Sequence, residues 1–269
     1  MPLAKIMLSV ILAITLTACA SSPTGRRQLM LVSEEQAINE SAQAYVQTMA
    51  PLEEQGKINS DPALTARVEE ITGRLVSEAI VMRPDSADWL WSMKIIDDPK
   101  TVNAWCMAGG RMALYTGLVQ KIQPSDDELA QVIGHEIAHA LANHTAEKMS
   151  VARASTLGVL AVAILSDHRG AGIAAASAAT VAITLPNSRT AENEADRIGI
   201  ELAAKAGYDP RAAVTLWQKM EKVGGSAPPQ FLSTHPASEN RQQRLADLED
   251  EMMPYYQEDR PHPVYPLSS

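Results

Sequence analysis

Aromatic residues and positive charge are both scarce in this sequence. Phe occurs once, and Phe, Trp and Tyr together make up 4% of the 269 residues, so we expect a helical core built mainly from Ala, Leu, Ile, Val and Met. Asp and Glu outnumber Lys and Arg by 32 to 23, which gives a net charge of -9. This balance argues against nucleic acid as a partner. The length and the 46% hydrophobic content suit one large domain.

Long apolar runs are also lacking, which shapes the interpretation of the N-terminus. The run Ile6–Leu16 is too short to span a membrane stably and is typical of a secretory signal. Leu16-Thr17-Ala18-Cys19 reads as a lipobox, so we predict a signal peptide at 1–18 and a membrane anchor of several acyl chains on Cys19. The alternative is an ordinary signal peptide in which Cys19 is incidental. By resemblance to bacterial lipoproteins, Ala20 favours the outer membrane of a Gram-negative cell, facing the periplasm.

Cysteine is nearly absent from the rest of the chain. With Cys19 acylated, Cys106 is the only remaining thiol, so the domain must be stable without an intrachain disulfide. We interpret Cys106 as a small buried hydrophobic residue, with a catalytic nucleophile as the alternative.

Hydrophobic periodicity predicts a mainly α-helical α+β domain over residues 31–252. A polar lipidated tether is predicted at 19–30, and a Pro-rich disordered tail at 253–269. A small sheet is expected from strands at Trp89–Ile96, Val102–Met107 and Arg111–Tyr115. Helices are expected at Ser33–Met49, Asp61–Val81, from Ser125 onward, Ser188–Ala206, Asp209–Val223 and Ala237–Met252. Thr156–Leu185 reads as two packed or membrane-facing helices, with a mobile lid as the alternative.

The most informative motif is His135-Glu136-Ile137-Ala138-His139. On a helix, residues four apart share a face, so both imidazoles point the same way. Two such imidazoles, with a carboxylate directly after the first, supply two zinc ligands and a general base for a zinc-bound water. Ser125 and Glu128 form a capping box that opens this helix. The motif therefore predicts a hydrolytic zinc site with one ion per chain.

A catalytic zinc takes three protein ligands and leaves one position open. An extended His motif fails here, because Ala142 and Thr145 stand where it needs Gly and His, and His144 is one residue out of register. Glu192 is the better candidate, and Asp196, one turn later on the same face, could orient a zinc-binding histidine. Glu194 should point elsewhere. The alternative for this acidic cluster is a solvated helix face.

At this point the chain resembles a known family. His-Glu-x-x-His followed by Glu-x-x-x-Asp is the gluzincin pattern, and the surroundings resemble bacterial periplasmic and lipoprotein members of the CAAX-prenyl-protease type of metallopeptidase. The segments that carry the resemblance are Val102-Asn103-Ala104-Trp105, Gly109-Gly110, Tyr115-Thr116-Gly117-Leu118, Ser188–Gly199 and Ser233-Thr234-His235-Pro236 with Arg241. The resemblance covers roughly residues 30–250 and implies a zincin-like fold.

The resemblance also implies roles for residues far from the motif. His235 and Arg241 become candidates for stabilising the tetrahedral oxyanion beside Glu136. In some relatives the loop equivalent to that of His235 brings its histidine to the metal and keeps the enzyme latent. The strand near Asn103 and Ala104 is expected to pair with an extended substrate through its backbone, which suits loosely folded proteins.

Two functions from different classes follow. The leading hypothesis is a membrane-anchored zinc endopeptidase that hydrolyses misfolded or misassembled cell-envelope proteins, with Glu136 as general base. The alternative is an assembly factor or chaperone-like partner of outer-membrane machinery, in which proteolysis is rare or gated. Glu136 favours the enzyme, since a binding protein would not need that base. A structural zinc site is disfavoured, because such sites are usually rich in cysteine.

Overall fold

The computed structural model describes residues 19–165, 187–223, 229–236 and 240–268. The predicted signal peptide at 1–18 and most of the Ala- and Gly-rich segment lie outside these residues. Within the described part, no helix combines the length and the apolar character needed to cross a membrane.

Helices dominate the described chain, which confirms the predicted mainly helical α+β class. They are α1 (Glu34–Glu54), α2 (Pro62–Met82), α3 (Thr116–Ile122), α4 (Asp126–Leu141), α5 (His144–Leu165), α6 (Arg189–Lys205), α7 (Ala212–Val223), α8 (Gln230–Thr234) and α9 (Arg241–Tyr256). A short 3-10 helix at Pro84–Asp88 follows α2. The predicted helix start at Asp209 is too early, since α7 begins at Ala212. The predicted start at Ala237 lies outside the described residues, and α9 begins at Arg241.

The described residues contain five short strands, which form two sheets. β1 (Cys19–Ser21) and β2 (Arg27–Leu29) make an antiparallel hairpin. The second sheet has the order β3-β5-β4, in which β5 (Arg111–Tyr115) pairs parallel with β3 (Ser92–Ile96) and antiparallel with β4 (Ala104–Cys106). β4 is therefore an edge strand, as the sequence predicted. Strand β3 is shorter than expected, because the chain at Trp89 still belongs to a turn that follows the 3-10 helix.

The core lies around α4, which is buried along almost its whole length and packs against α2, α6 and α7. Gly134 on α4 and Gly199 on α6 let two backbones touch. A Cβ on Gly134 would lie 2.9 Å from the carbonyl oxygen of Gly199, and a Cβ on Gly199 would lie 2.8 Å from the backbone nitrogen of His135. This close contact brings the predicted ligands of the two helices within reach of one another.

The N-terminal segment departs from the predicted tether. Residues 19–29 fold into the β1–β2 hairpin, and the Gln28 amide donates to the carbonyl oxygen of Ala142 at the end of α4 (2.7 Å) and to Glu147 on α5 (3.0 Å). The prediction of a loose tether is wrong for these residues, because their polar side chains bond to the domain instead of to water.

The prediction of a disordered tail is also wrong for residues 253–268. Helix α9 continues to Tyr256, and the segment after it packs as an extended chain. The Tyr265 amide donates to the Gly73 carbonyl oxygen (3.0 Å), and the Ser268 amide to that of Trp91 (2.8 Å). The Tyr265 side chain also packs against the core, so the tail contributes buried apolar surface despite its prolines.

Candidate metal centre

Helix α4 starts as its sequence predicts. The Ser125 hydroxyl accepts from the Glu128 amide (3.2 Å), and the Glu128 carboxylate accepts from the Ser125 amide (2.9 Å). This capping box satisfies amides that have no partner within the helix, and the three acidic residues of the first turn complement the helix dipole. His135 and His139 follow on one face of the helix, and both are about 5% exposed.

Four buried side chains converge here, from three elements of the fold. His135 and His139 come from α4, Glu192 from the first turn of α6, and His235 from the end of α8. Their ligand atoms all lie within 4.8 Å of one another. The separations from His135 Nε2 are 3.0 Å to His139 Nε2, 3.3 Å to His235 Nδ1 and 3.3 Å to Glu192 Oε2. Glu192 Oε1 lies 3.3 Å from His139 Nε2 and 3.1 Å from His235 Nδ1.

These separations fit a tetrahedral metal ion. Arms of about 2.0–2.1 Å, typical of zinc bound to nitrogen and oxygen, place neighbouring ligand atoms about 3.3 Å apart. Glu192 Oε2 is buried and has no hydrogen-bond partner within residues 19–165, 187–223, 229–236 and 240–268, which is costly unless a cation satisfies it. Burial acts to lower the pKa of His135, but Glu192 and Asp196 outweigh it and raise the pKa to about 9. The cluster thus carries an excess of negative charge that a divalent cation would neutralise.

The outer nitrogen of His135 meets a carboxylate, as predicted. His135 Nδ1 lies 3.1 Å from Asp196 Oδ1, and the same oxygen accepts from Arg241 Nη2 at 2.6 Å. The Arg241 guanidinium lies over the Trp217 ring, 3.4 Å from its centroid. Burial acts to raise the pKa of Asp196, but Arg241 and His135 lower it overall, so this carboxyl stays charged. This position suits a carboxylate that orients the His135 ring.

The ring nitrogen of His139 that faces away from the cluster contacts another histidine. His139 Nδ1 lies 2.7 Å from His144 Nδ1, and His144 Nε2 lies 3.1 Å from Glu194 Oε2. His144 is only 2% exposed, so it lies inside the domain behind His139 and not at the surface. Glu194 points away from the Glu192 cluster, as predicted, because it lies on another side of α6.

Glu136 faces a small cavity beside this cluster. The cavity has a volume of about 60 Å³, and its walls include Glu136, His139, His235, Lys148 and strand β4. Burial raises the pKa of Glu136, although His235 and His135 act in the opposite direction. Glu136 Oε1 lies 3.4 Å from His235 Nε2 and has no hydrogen-bond partner among the described residues. A buried carboxylate thus faces the cavity directly beside the four converging side chains.

Comparison with known proteins agrees with this geometry. The model of peptidase family M48 matches residues 62–249, which include all four converging side chains. The chain belongs to peptidase family M48. This match confirms the resemblance noted in the sequence. The β1–β2 hairpin and α1 lie outside the matched residues.

Curated relatives occur in bacteria and in mitochondria. The chain is 38% identical over 168 residues to mitochondrial metalloendopeptidase OMA1 of Arabidopsis thaliana, which covers 61% of this chain and 33% of that protein. It is 34% identical over 192 residues to a putative beta-barrel assembly-enhancing protease of Vibrio cholerae (68% and 38%). It is 30% identical over 205 residues to the beta-barrel assembly-enhancing protease of Escherichia coli (72% and 41%). The chain spans 33% to 55% of the length of such relatives.

One predicted residue of this M48 site lies elsewhere. Arg241 does not line the cavity with Glu136; its guanidinium is 3% exposed and lies behind His135, against Asp196 and Trp217. The oxyanion role predicted for it does not suit this position, because an oxyanion donor must reach the reacting carbonyl. The geometry instead suits holding Asp196.

The two residues predicted for the substrate edge have different positions. The Asn103 carbonyl oxygen already accepts from the Tyr115 amide (3.1 Å), so its backbone faces strand β5. In an antiparallel pair of strands, hydrogen-bonded residue pairs alternate with pairs that are not hydrogen-bonded. Ala104 pairs with Leu114 and Cys106 with Met112, and both pairs are of the second kind. The backbone groups of Ala104 and Cys106 therefore point away from β5. Ala104 and Cys106 both line the cavity.

Sequence reasoning missed two polar residues of this M48 cavity, Lys148 and Asn187. Burial lowers the pKa of Lys148 to about 8, although Glu136 and Glu192 act to raise it. Asn187 Nδ2 lies 3.3 Å from His235 Nδ1 and 3.5 Å from His139 Nε2. Lys148 lies four residues after His144, so the two residues share a face of their helix. This spacing could have predicted that Lys148 lies near the site once the helix was known. Cys106 is buried as predicted, and burial raises the pKa of its thiol well above the usual range, which disfavours a nucleophile.

Proposed function

We propose that this chain is a zinc endopeptidase with one zinc ion per chain, held by His135, His139 and Glu192. The observation that carries the proposal is the position of Glu136. Its buried carboxylate has an oxygen that finds no hydrogen-bond partner in the described part of the chain, and it faces a small cavity directly beside the converging ligands. A purely structural metal site would have no use for that group.

Glu136 carries the proton in this mechanism. Zinc, when bound, supplies Lewis-acid polarisation of the scissile carbonyl and of water. Glu136 accepts a proton from the attacking water and returns it to the leaving amine. Burial, which raises its pKa, brings the carboxylate closer to the range in which it can do both. Lys148 places a positive charge at the same cavity, where it can help to stabilise the oxyanion.

His235 supports a latent resting state. Its Nδ1 occupies the fourth corner of the ligand set, 3.3 Å from His135 Nε2, where water would otherwise bind. Its ring stacks on Phe231 at a centroid distance of 4.4 Å. A cavity of about 60 Å³ beside this ring holds a few water molecules. Activation therefore needs a shift of segment 229–236, after which His235 is free to stabilise the oxyanion.

The substrate binds as an added strand on β4. The outward backbone groups of Ala104 and Cys106 supply the pairing. Asn103 adds a buried side-chain oxygen for which the described residues offer no hydrogen-bond partner. Backbone pairing reads little side-chain identity, which suits misfolded or misassembled proteins of the cell envelope.

Cys19 is the proposed lipid attachment site, which places the chain on the outer membrane facing the periplasm. The lipobox supports this location, as does the similarity to a beta-barrel assembly-enhancing protease. The same similarity supports a second candidate, a role beside outer-membrane assembly machinery in which proteolysis is minor.

The test compares the purified full chain with its Glu136→Gln variant for zinc content and casein hydrolysis. We expect about one zinc per chain in both proteins, slow hydrolysis by the wild type because its resting state is latent, and none by Glu136→Gln. Hydrolysis that appears only in His235→Ala would establish latency. A folded protein that takes up no zinc would overturn the site. A Glu136→Gln variant that still performs the cellular task would favour the assembly role.

A further inference from the structure

The support behind His139 reaches the N-terminal hairpin, far from the motif in sequence. We propose that residues Ser22, Thr24 and Arg26 form part of the metal centre by holding Glu194, which positions His144 and, through it, the ligand His139. The inference rests on the proposed zinc site. It assigns a positioning role to His144 and to a hairpin that lies outside the residues matched by the family model.

The hydrogen-bond directions along this chain of contacts are determined by its metal end. His139 must offer the lone pair of Nε2 to a metal, so its Nδ1 carries the proton and donates to His144 Nδ1. His144 then accepts on Nδ1 and carries its own proton on Nε2, which donates to Glu194 Oε2. Each nitrogen thus has a single consistent role.

Glu194 has no freedom to turn away from His144. Its Oε1 accepts from the hydroxyl groups of Ser22 and Thr24, and its Oε2 accepts from Arg26 Nε at 2.6 Å. Three residues within one turn of the hairpin therefore keep this carboxylate oriented toward His144.

Arg26 is itself held by a second carboxylate. Its Nη1 and Nη2 donate to the two oxygens of Glu147 on α5, at 2.8 and 2.6 Å. The Arg26 side chain is 18% exposed and the Glu194 side chain 3%. Arg26 thus joins α5 to α6 directly behind His144, and without it two carboxylates would lie near each other unpaired. The hairpin closes the outer side of the metal centre.

Zinc affinity tests this role more directly than activity does. We expect His144→Phe, which keeps a ring but removes the acceptor for His139, to weaken zinc binding about 10- to 100-fold, as for other residues that orient a ligand. Glu194→Ala should do the same, whereas Glu194→Gln keeps an oxygen for His144 and should lose less. Arg26→Ala should weaken zinc binding about 10-fold, and Thr24→Val, which is nearly isosteric, should cause a smaller loss in a folded protein.

The matched control is Arg67→Ala. Arg67 pairs with Asp126 at 2.6 Å, at the opposite end of α4, and this substitution should leave zinc affinity unchanged. The dissociation constant is measured by competition with a chromophoric chelator on the full chain, with thermal unfolding recorded for each variant. Wild-type affinity in His144→Phe and Arg26→Ala would overturn the inference alone. A wild-type chain that binds no zinc would overturn the proposed function as well.

Discussion

Each histidine of the motif is held by a series of side chains, which we call its support. The two supports differ, although each contains a carboxylate of α6 that pairs with an arginine. His135 contacts Asp196 directly, and Asp196 is held by Arg241, which is 3% exposed. His139 contacts Glu194 through His144, and Glu194 is held by Arg26, whose side chain is 18% exposed. The first support lies inside the helical core, and the second extends to the N-terminal hairpin.

This difference suggests a division between stability and adjustment. A buried ion pair is costly to break, because the remaining charge has no access to water. The partly exposed pair at the hairpin can be broken with a smaller penalty, since water can reach Arg26. We therefore expect the His135 support to determine whether the domain folds, and the His139 support to modulate how tightly it holds zinc.

The largest effect is expected from removing Asp196, the carboxylate in the support of His135. Asp196→Ala leaves the Arg241 guanidinium buried, with Nε and Nη1 already lacking partners. We expect the free energy of unfolding to fall by about 3–5 kcal/mol, measured by urea denaturation of the zinc-free protein. Asp196→Asn keeps an oxygen for His135 and Arg241 and should lose less. A loss near zero in Asp196→Ala would remove the contrast between the two supports.

A smaller effect, on both supports together, is expected from Gly199→Ala. The added Cβ would lie 2.8 Å from the His135 nitrogen, so α4 and α6 must move apart. We expect about 1–3 kcal/mol of destabilisation and weaker zinc binding, because Glu192, Glu194 and Asp196 all move with α6. Asn193→Ala, on the exposed face of α6, is the control. If zinc affinity in Gly199→Ala matched that control, the helix contact would not set the ligand geometry.

The smallest effect is expected from Glu128→Gln, which loosens the start of α4 without touching either support. Burial acts to raise the pKa of Glu128, but Lys219, Ser125 and Thr215 lower it overall. A depressed folded pKa stabilises the protein above the unfolded value of about 4.3, and this stabilisation is lost as pH falls through the folded pKa. We expect a loss of about 1 kcal/mol at pH 7, shrinking below about pH 4.

The Glu128→Gln effect is read from thermal unfolding of the zinc-free protein between pH 7 and pH 3. Zinc affinity measured at pH 7 should stay at the wild-type value. A pH-independent loss of stability would show that the Glu128 charge has no part in it, and weaker zinc binding would mean that the start of α4 matters to the ligands.

The sequence predicted the His135 support, because its residues are spaced locally along two helices. His135 and His139 are four residues apart, and so are Glu192 and Asp196, so helical geometry alone assigns each pair to one face. The His139 support could be recognised only from the fold, since Arg26 and Glu194 are distant in sequence and no local pattern indicates their contact. Arg241 was assigned correctly to the centre but to the wrong side of it, because a motif match does not say which face of a ligand a residue reaches.

The most direct test of the account is anomalous diffraction at the zinc edge from crystals of the purified chain. We expect one ion about 2.0–2.2 Å from His135 Nε2, His139 Nε2 and a carboxylate oxygen of Glu192. The Nδ1 of His235 should bind the same ion in the latent state and lie farther away in the active one. Zinc bound to other residues, or no zinc in crystals grown with it, would contradict the account.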